Sequence, residues 1–188
     1  MKEELELQLV QKYPELFVDY KGDKKTTCMA WGCAHGDGWY NLLDDLCSYL
    51  QYISSTKPFI LYKSEHKKEE GTFSERNGTY INLPPVCFAQ IKEKFAGLRV
   101  YTKFSSYSDE AFDGHGKLDE SSFDYAIERY QNQIQYALEY VEFLSRRTCE
   151  FCGKPGRVYA DGWYKTYCSE CAKMHGRSTE ATDPLVIL

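Results

Sequence analysis

Two pairs of cysteines near the C-terminal end constrain the fold of this chain more than any other feature. Cys149 and Cys152 form the first pair, Cys168 and Cys171 form the second, and 15 residues separate the two pairs. This spacing is typical of a site in which four thiolates hold one zinc ion, because zinc is tetrahedral and borderline-soft and four sulfurs complete its shell. The sequence therefore predicts one structural zinc ion bound by these four cysteines.

The residues between and after the two pairs predict a small zinc finger of the treble-clef or ribbon type. A β-hairpin is expected over residues 157–167, with a two-residue Asp-Gly turn at 161–162, and a short helix over 169–175. A segment this short buries too little apolar surface to fold alone, so the metal supplies its folding energy. Chelation is therefore expected to unfold residues 148–177.

The rest of the chain predicts an α+β body over residues 1–147, on which the finger at 148–177 packs, followed by a tail at 178–188. Three stretches show apolar residues at helical spacing. The first covers residues 2–13, and the second covers about 38–53 with Asp37 as its N-cap. The third begins at Ser121 or Ser122, continues for about 24 residues and leads directly into the first cysteine pair.

A β-hairpin provides the small antiparallel sheet of this body. Apolar and polar residues alternate over 86–104, which is typical of strands with one buried face, and Gly97 is expected to form the turn. Residues 59–62 predict a short strand. The rest of residues 54–80 is mostly polar and predicts a surface loop, and residues 105–120 predict a second polar loop with many acids.

Charge and composition argue against several classes of protein. The net charge is −5, and it is unevenly spread, since residues 145–177 hold seven Lys+Arg against three Asp+Glu whereas residues 1–144 hold 16 against 23. An acidic body argues against general nucleic-acid binding. No apolar run is long enough to span a membrane and no signal peptide is evident, so a cytoplasmic protein is expected. The 16 tyrosines are compatible with a homodimer interface.

The hairpin carries a cluster of cations beside a tyrosine, which suits a phosphate-bearing or nucleotide-type ligand. A solvated outer face of the hairpin explains the same residues without a ligand. The predicted ligand-binding residues are Lys92, Lys94, Arg99 and Tyr101, together with His35 and Trp39. In the finger, the residues expected to contact a partner are Arg157, Trp163, Tyr164 and Lys165.

Two further arrangements could carry chemistry. Cys28, Cys33, His35 and Cys47 could form a second metal site, although buried free thiols explain the cysteines equally well. Cys33 beside His35 could also form a nucleophile–base pair. The acids of residues 105–120 could hold a divalent cation or form a solvated loop. No phosphate-binding loop, dinucleotide fingerprint or nucleophile elbow is present.

Three stretches resemble a family of small proteins that are encoded by tailed bacteriophages. They are GDGWYNLLDDLC (36–47), QIKEKFAGLRVY (90–101) and CEFCGKPGR with GWYKTYCSECA (149–157 and 162–172). In that family two glycines occupy the hairpin turn, whereas Ala96 stands at the first of these positions here. The resemblance implies a phage origin and a host-cell cytoplasmic setting, and it supplies no catalytic residues.

Three hypotheses about function follow from these features. The first is a non-catalytic phage accessory protein that binds a host component, for instance a host protein in counter-defence. The second is a protein that sequesters a nucleotide-type small molecule with the hairpin cations. The third is an enzyme acting on a nucleotide or nucleic acid through His35 or the acidic loop.

Overall fold

Helices on one three-stranded sheet form the body of the protein, and a small four-cysteine module, residues 148–177, here named the finger, follows them. The structure, a computed structural model, describes residues 1–55, 59–62, 78–81, 84–104 and 120–178. The α-helices are α1 (Glu3–Lys12), α2 (Tyr40–Ser55), α3 (Glu120–Ser145) and α4 (Ser169–Met174), and short 3₁₀ turns occupy Cys28–Trp31 and Asp37–Trp39. The strands are β1 (Cys33–Ala34), β2 (Phe59–Tyr62), β3 (Gly78–Ile81), β4 (Val86–Lys94), β5 (Gly97–Phe104), β6 (Arg157–Tyr159) and β7 (Lys165–Tyr167).

The central sheet has the strand order β1-β4-β5. β4 and β5 form the predicted antiparallel hairpin, in which Ile91 lies opposite Val100. A bulge between Phe88 and Gln90 interrupts their register, so the strict alternation expected from the sequence breaks at that point. β1 adds to the other edge of β4 in parallel, which the sequence analysis did not predict. β2 and β3 form a separate antiparallel pair.

The turn of the central hairpin is formed by Phe95 and Ala96, and not by Gly97 as predicted from the sequence. Phe95 and Ala96 both adopt positive φ, at 51° and 62°, as a two-residue turn between right-handed twisted strands requires. Gly97 is the first residue of β5 and does not supply this conformation. Its lack of a side chain matters for packing, because a Cβ there would lie 3.2 Å from Nε of Arg146, whose guanidinium covers this glycine.

One hydrophobic core joins the helices to the sheet. The predicted apolar faces of the second and third helices are confirmed: they bury Trp39, Leu43, Leu46, Cys47 and Leu50 from the loop–α2 segment and Tyr130, Ile134 and Val141 from α3. These side chains meet Phe88, Ile91 and Leu98 of the hairpin and Leu9 of α1. The mixed α+β class of the body is therefore confirmed.

Two predicted helix caps are wrong. Asp37 does not cap the helix that follows, because its carboxylate accepts a hydrogen bond from the backbone N–H of Lys2 (2.7 Å). α3 begins at Glu120, before either Ser121 or Ser122, so neither serine is its N-cap. The loop predicted over 54–80 is wrong at 54–55, which end α2, and at 78–80, which belong to β3. The rest of that loop, nearly all of the predicted acidic loop and nearly all of the tail lie outside the described residues.

Candidate metal centre

The four predicted cysteine ligands converge at one point in the finger. Their sulfurs all lie within 4.8 Å of one another. Cys152 Sγ lies 3.7 Å from Cys168 Sγ and 3.6 Å from Cys171 Sγ. Sulfurs at the corners of a tetrahedron around zinc, with Zn–S bonds of about 2.3 Å, lie about 3.8 Å apart. The sulfurs are therefore too far apart for disulfides and are spaced as tetrahedral metal ligands, so the site could hold one metal ion.

Local backbone geometry places the two cysteine pairs. Gly153, with φ of 76°, turns the chain after the first pair so that its N–H donates to the Cys149 carbonyl oxygen at 2.9 Å. Cys168 precedes α4, and the backbone N–H of Cys171 donates to Cys168 Sγ at 3.4 Å. This donor lowers the pKa of the Cys168 thiol to about 7, because a hydrogen bond to sulfur stabilises the thiolate, which is the metal-binding form.

The Gly36-Asp37-Gly38 loop of the body packs directly against the first cysteine pair. The N–H of Gly38 donates to the Glu150 carbonyl oxygen (2.8 Å), and that of Gly36 donates to the Glu150 carboxylate (3.1 Å). A Cβ on Gly36 would lie 2.3 Å from the Glu150 carbonyl oxygen, and a Cβ on Gly38 would lie 2.1 Å from that of Cys149. Both positions therefore exclude any side chain, which explains the two glycines of this motif.

Two further hydrogen bonds hold the finger on the body. Trp39 is fully buried, and its Nε1 donates to the Thr148 carbonyl oxygen at 2.7 Å. Thr166 in β7 is also fully buried, and its Oγ1 donates to the carbonyl oxygen of Ala96 in the hairpin turn at 2.7 Å. The finger thus contacts both the loop before α2 and the tip of the hairpin, which makes it a docked part of the fold.

A buried ion-pair network crosses the same junction. Lys165 Nζ lies 2.9 Å from the Glu150 carboxylate and 3.0 Å from that of Glu93, whose side chains are 8% and 9% exposed. Burial by itself lowers the pKa of Lys165, but its contacts with the two carboxylates outweigh that effect and raise the pKa. Lys165 was predicted to contact a partner, and the structure shows its ammonium engaged within the chain.

His35 lies under the finger, in the same buried junction. It is 6% exposed, its ring lies beside that of Trp39, and its Nδ1 is 2.8 Å from the Gly36 carbonyl oxygen. Burial lowers its pKa to about 4, so it is neutral at pH 7. Its Nε2 has no hydrogen-bond partner among the described residues. His35 and Trp39 are thus packed between the body and the finger. They do not lie on the β4–β5 hairpin, which carries the other four predicted ligand-binding residues.

The four hairpin residues of the predicted ligand site share one face of the sheet. Cross-strand pairing sets Lys92 beside Arg99, and the Lys92 ammonium lies 5.2 Å from the Tyr101 ring centroid. Arg99 forms an ion pair with Glu142 of α3, Lys92 donates to Gln90, and Lys94 lies against the Phe95 ring. An anionic ligand would therefore have to compete with an existing carboxylate for Arg99.

The proposed second metal set is not brought together. Among all residues that the structure describes, the only cluster able to hold a metal ion is the one formed by Cys149, Cys152, Cys168 and Cys171. Cys28 is exposed, whereas Cys33 and Cys47 are buried thiols. Burial, with a contribution from the Glu6 carboxylate, raises the pKa of Cys33 to about 12, which opposes a nucleophilic role for this thiol.

Two of the other predicted contact residues, Trp163 and Tyr164, lie in the loop at the tip of the finger, whereas Arg157 is the first residue of β6. β6 and β7 are separated by residues 160–164, a longer loop than the predicted two-residue turn. Arg177 holds this loop by donating to the carbonyl oxygens of Asp161 (2.9 Å) and Trp163 (2.8 Å). Arg157 and Tyr164 are exposed, and the side chain of Trp163 is 76% exposed.

No helix in the described parts of the chain combines the length and apolar character needed to cross a membrane. Comparison of the chain with protein-family models, with characterised proteins and with solved structures gives no match.

Proposed function

We propose that this protein is a non-catalytic binding protein that uses a zinc-stabilised finger to contact a partner. The observation that carries the proposal is the closed set of four sulfurs in a finger firmly docked on the body. Four thiolates complete the tetrahedral shell of zinc, as in structural sites, whereas catalytic zinc sites keep a position open for water or substrate. The zinc ion would supply folding energy to the finger and hold its outer surface in place.

The order of elements supports a finger of the treble-clef type. A tight turn carries the first cysteine pair, the β6–β7 hairpin follows, and the second pair consists of Cys168, the N-cap of α4, and Cys171 in its first turn. The backbone N–H of Cys171 donates to Cys168 Sγ, which favours a bound thiolate.

The finger bears a group of aromatic side chains and one arginine, here named the aromatic row and consisting of Phe151, His175, Tyr167, Arg177 and Trp163. Phe151, His175 and Trp163 are exposed, whereas Tyr167 and Arg177 are partly buried. The rings of Tyr167 and His175 stack at 4.9 Å between centroids, and Phe151 meets His175 edge-on at 5.3 Å. Arg177 lies over the Tyr167 ring at 5.9 Å and bonds the backbone of Trp163. Exposed aromatics and arginine are the residue types that dominate protein–protein binding energy.

The partner proposed for the aromatic row is a protein of the host cell. The resemblance to phage-encoded proteins supports a host component, and the acidic body supports a protein over a nucleic acid because it would repel a phosphate backbone. The finger itself is basic, so an acidic surface on the partner would complement it.

The metal assignment is tested by native mass spectrometry and by cobalt substitution. We expect one zinc ion per chain, and we expect the cobalt(II) form to show the absorption of a tetrahedral tetrathiolate. A Cys168→Ser variant should lose that spectrum, whereas Cys28→Ser, at an exposed cysteine outside the site, should retain it. A wild-type protein that folds fully without metal would contradict the proposal.

Partner binding is tested by chemical cross-linking in an extract of host cells followed by mass spectrometry. A Phe151→Ala/Trp163→Ala variant should lose a partner that the wild type binds at fixed stoichiometry. Val18→Ala, which changes an exposed residue of the body (58% exposed), is the matched control and should retain it. The proposal is overturned if the finger variant keeps the same partner with unchanged yield.

A further inference from the structure

The outer face of α3 carries a second line of large side chains, separate from the finger. The line, here named the α3 stripe, recurs every three or four residues and consists of Tyr125, Arg129, Asn132, Tyr136, Tyr140 and Phe143 of α3 and of Arg147, two residues after the helix ends. At 3.6 residues per turn the six helical positions lie on one side of the helix. They are opposite the residues that α3 buries in the core, so large side chains project from two faces of α3.

Aromatic side chains dominate the α3 stripe and are exposed. Tyr125 is 56% exposed, Tyr136 67%, Tyr140 62% and Phe143 45%. Single exposed aromatics are ordinary, but Tyr136, Tyr140 and Phe143 lie on successive turns of one helix face and form a contiguous patch. Contiguous exposed apolar patches mark interaction surfaces in soluble proteins. Tyrosine suits such a surface because its ring buries apolar area while its hydroxyl stays hydrated.

The two halves of the stripe differ in shape and chemistry. The N-terminal half forms a groove of about 400 Å³, lined by Tyr125, Glu128, Arg129, Asn132, Gln133 and Tyr136. The C-terminal half presents the rings of Tyr140 and Phe143 and ends at Arg147, whose guanidinium lies 4.8 Å from the Phe143 ring. One half therefore offers a groove with a cation, and the other offers protruding rings.

The positions of the stripe are spaced symmetrically about Tyr136, and the side chains at paired positions differ in chemistry. Asn132 and Tyr140 lie four residues before and after it, Arg129 and Phe143 lie seven, and Tyr125 and Arg147 lie eleven. If two copies of α3 pack antiparallel about a twofold axis at Tyr136, each residue meets its counterpart in the other copy. The groove of one copy then receives the rings of Tyr140 and Phe143 of the other copy. Each arginine of the stripe meets an aromatic ring of the other copy.

We propose that the α3 stripe is a homodimer interface, in which two copies of this chain pack their α3 helices antiparallel with Tyr136 on the twofold axis. The two Tyr136 rings meet each other, Arg129 of one copy lies on Phe143 of the other, and Tyr125 lies on Arg147. Glu128 and Glu139 lie on one flank of the stripe, where solvent reaches them. A patch confined to one helix is smaller than a permanent interface, so the dimer dissociates on dilution.

Sedimentation velocity over a wide range of protein concentration tests this interface. The zinc-loaded wild type should form dimers, and Tyr136→Glu should weaken dimerisation at least about tenfold because it places two carboxylates face to face. Tyr136→Lys alone should weaken it similarly, whereas an equimolar mixture of the two variants should form heterodimers. Trp163→Glu, at an equally exposed aromatic of the finger, is the matched control and should leave dimerisation unchanged.

Cross-linking between single cysteines tests the antiparallel direction, in a Cys28→Ser background that lacks the exposed native thiol outside the metal site. Tyr136→Cys should link to itself with a short bismaleimide. Tyr125→Cys should not, because the two copies of residue 125 lie about 33 Å apart along antiparallel helices. The proposal is overturned by a monomeric wild type at all concentrations, by a Tyr136→Glu variant that dimerises normally, or by self-linking at residue 125 instead of residue 136.

Discussion

Gly38 lies so close to Cys149 that a Cβ on residue 38 would be 2.1 Å from the Cys149 carbonyl oxygen. This contact joins the loop before α2 to the turn that holds the first metal ligands. The shape of the body loop and the position of the metal site therefore depend on each other.

Replacing Gly38 by alanine should separate the finger from the body. The three atoms nearest to the new methyl group are backbone atoms of Cys149, Cys152 and Gly153. Because backbone cannot move aside as a side chain can, the finger must shift as a unit. We expect a loss of about 2–4 kcal/mol in the free energy of unfolding, measured by denaturant titration of the zinc-loaded protein.

The matched substitution is Asn41→Ala, at an exposed position in the first turn of α2. It should change stability by less than about 0.5 kcal/mol. If Gly38→Ala were as stable as this control, the close contact with the finger would not exist in solution.

Metal removal should unfold the finger and expose part of the body. The hydrophobic cluster at the candidate metal site consists of Cys149, Cys168 and Cys171, with Tyr167 packed against them. Because three of these four residues are the expected ligands, little holds this cluster together without the ion. Hydrogen exchange after chelation should show lost amide protection over residues 148–177 and faster exchange at the hairpin turn, which loses its bond to Thr166. Protection that persisted in the finger would contradict a folding role for the metal.

Replacing Lys165 by methionine should destabilise the protein by about 3 kcal/mol, because it leaves the buried carboxylates of Glu93 and Glu150 without their cation. Neutralising one carboxylate should recover part of that loss. We therefore expect the Lys165→Met/Glu150→Gln variant to be more stable than Lys165→Met alone. Thermal unfolding of the wild type, Lys165→Met, Glu150→Gln and the double variant measures the coupling between Lys165 and Glu150. Strictly additive changes in stability would exclude this coupling.

Protonation of His35 should destabilise the protein as the pH falls. Its pKa is lowered from 6.5 to about 4 in the folded state, so the unfolded chain binds a proton more readily. The stability due to neutral His35 is therefore complete above pH 6.5 and is lost progressively between 6.5 and 4, up to about 3 kcal/mol.

The thiolate ligands also protonate at low pH, so the measurement is a difference between variants. His35→Asn should show a shallower decline of stability than the wild type between pH 6.5 and 4. His175→Gln, at the exposed histidine of the finger, should decline like the wild type. Parallel curves for wild type and His35→Asn would show that His35 does not titrate in this way.

Much of this architecture could be predicted from the sequence because local patterns determine it. The spacing of the cysteine pairs specifies the ligand set, and the helical spacing of Leu43, Leu46 and Leu50 identifies the buried face of α2. In each case the residues that carry the pattern are close together in the chain, so no knowledge of tertiary packing was needed.

The errors arise where distant residues decide the local structure. The sequence predicts Gly97 in the turn because glycine adopts positive φ readily. The structure shows instead that Arg146, directly after α3, covers Gly97 and that Phe95 and Ala96 take the left-handed conformation. The loop at 160–164 is longer than an Asp-Gly turn because Arg177, beyond α4, holds it. β1 has only two residues, which is too short for any periodic pattern.

The role of Gly36 and Gly38 was also missed, although a signal was present. Two glycines flanking an aspartate directly before a helix indicate a close backbone approach as readily as a flexible entry. What they approach, the turn at Cys149 and Glu150, is more than a hundred residues away and follows only from the tertiary fold.

The bond between Gly36 and Glu150 spans 114 residues, which has a consequence for synthesis on the ribosome. The loop at 36–38 emerges early, but the surface that covers it is made only after α3, so the loop, His35 and Trp39 remain uncovered during most of translation. Contacts of such long range form late and slowly. The finger thus covers a surface that is synthesised much earlier, and its stable docking would report that the described helices and strands of the body have been assembled.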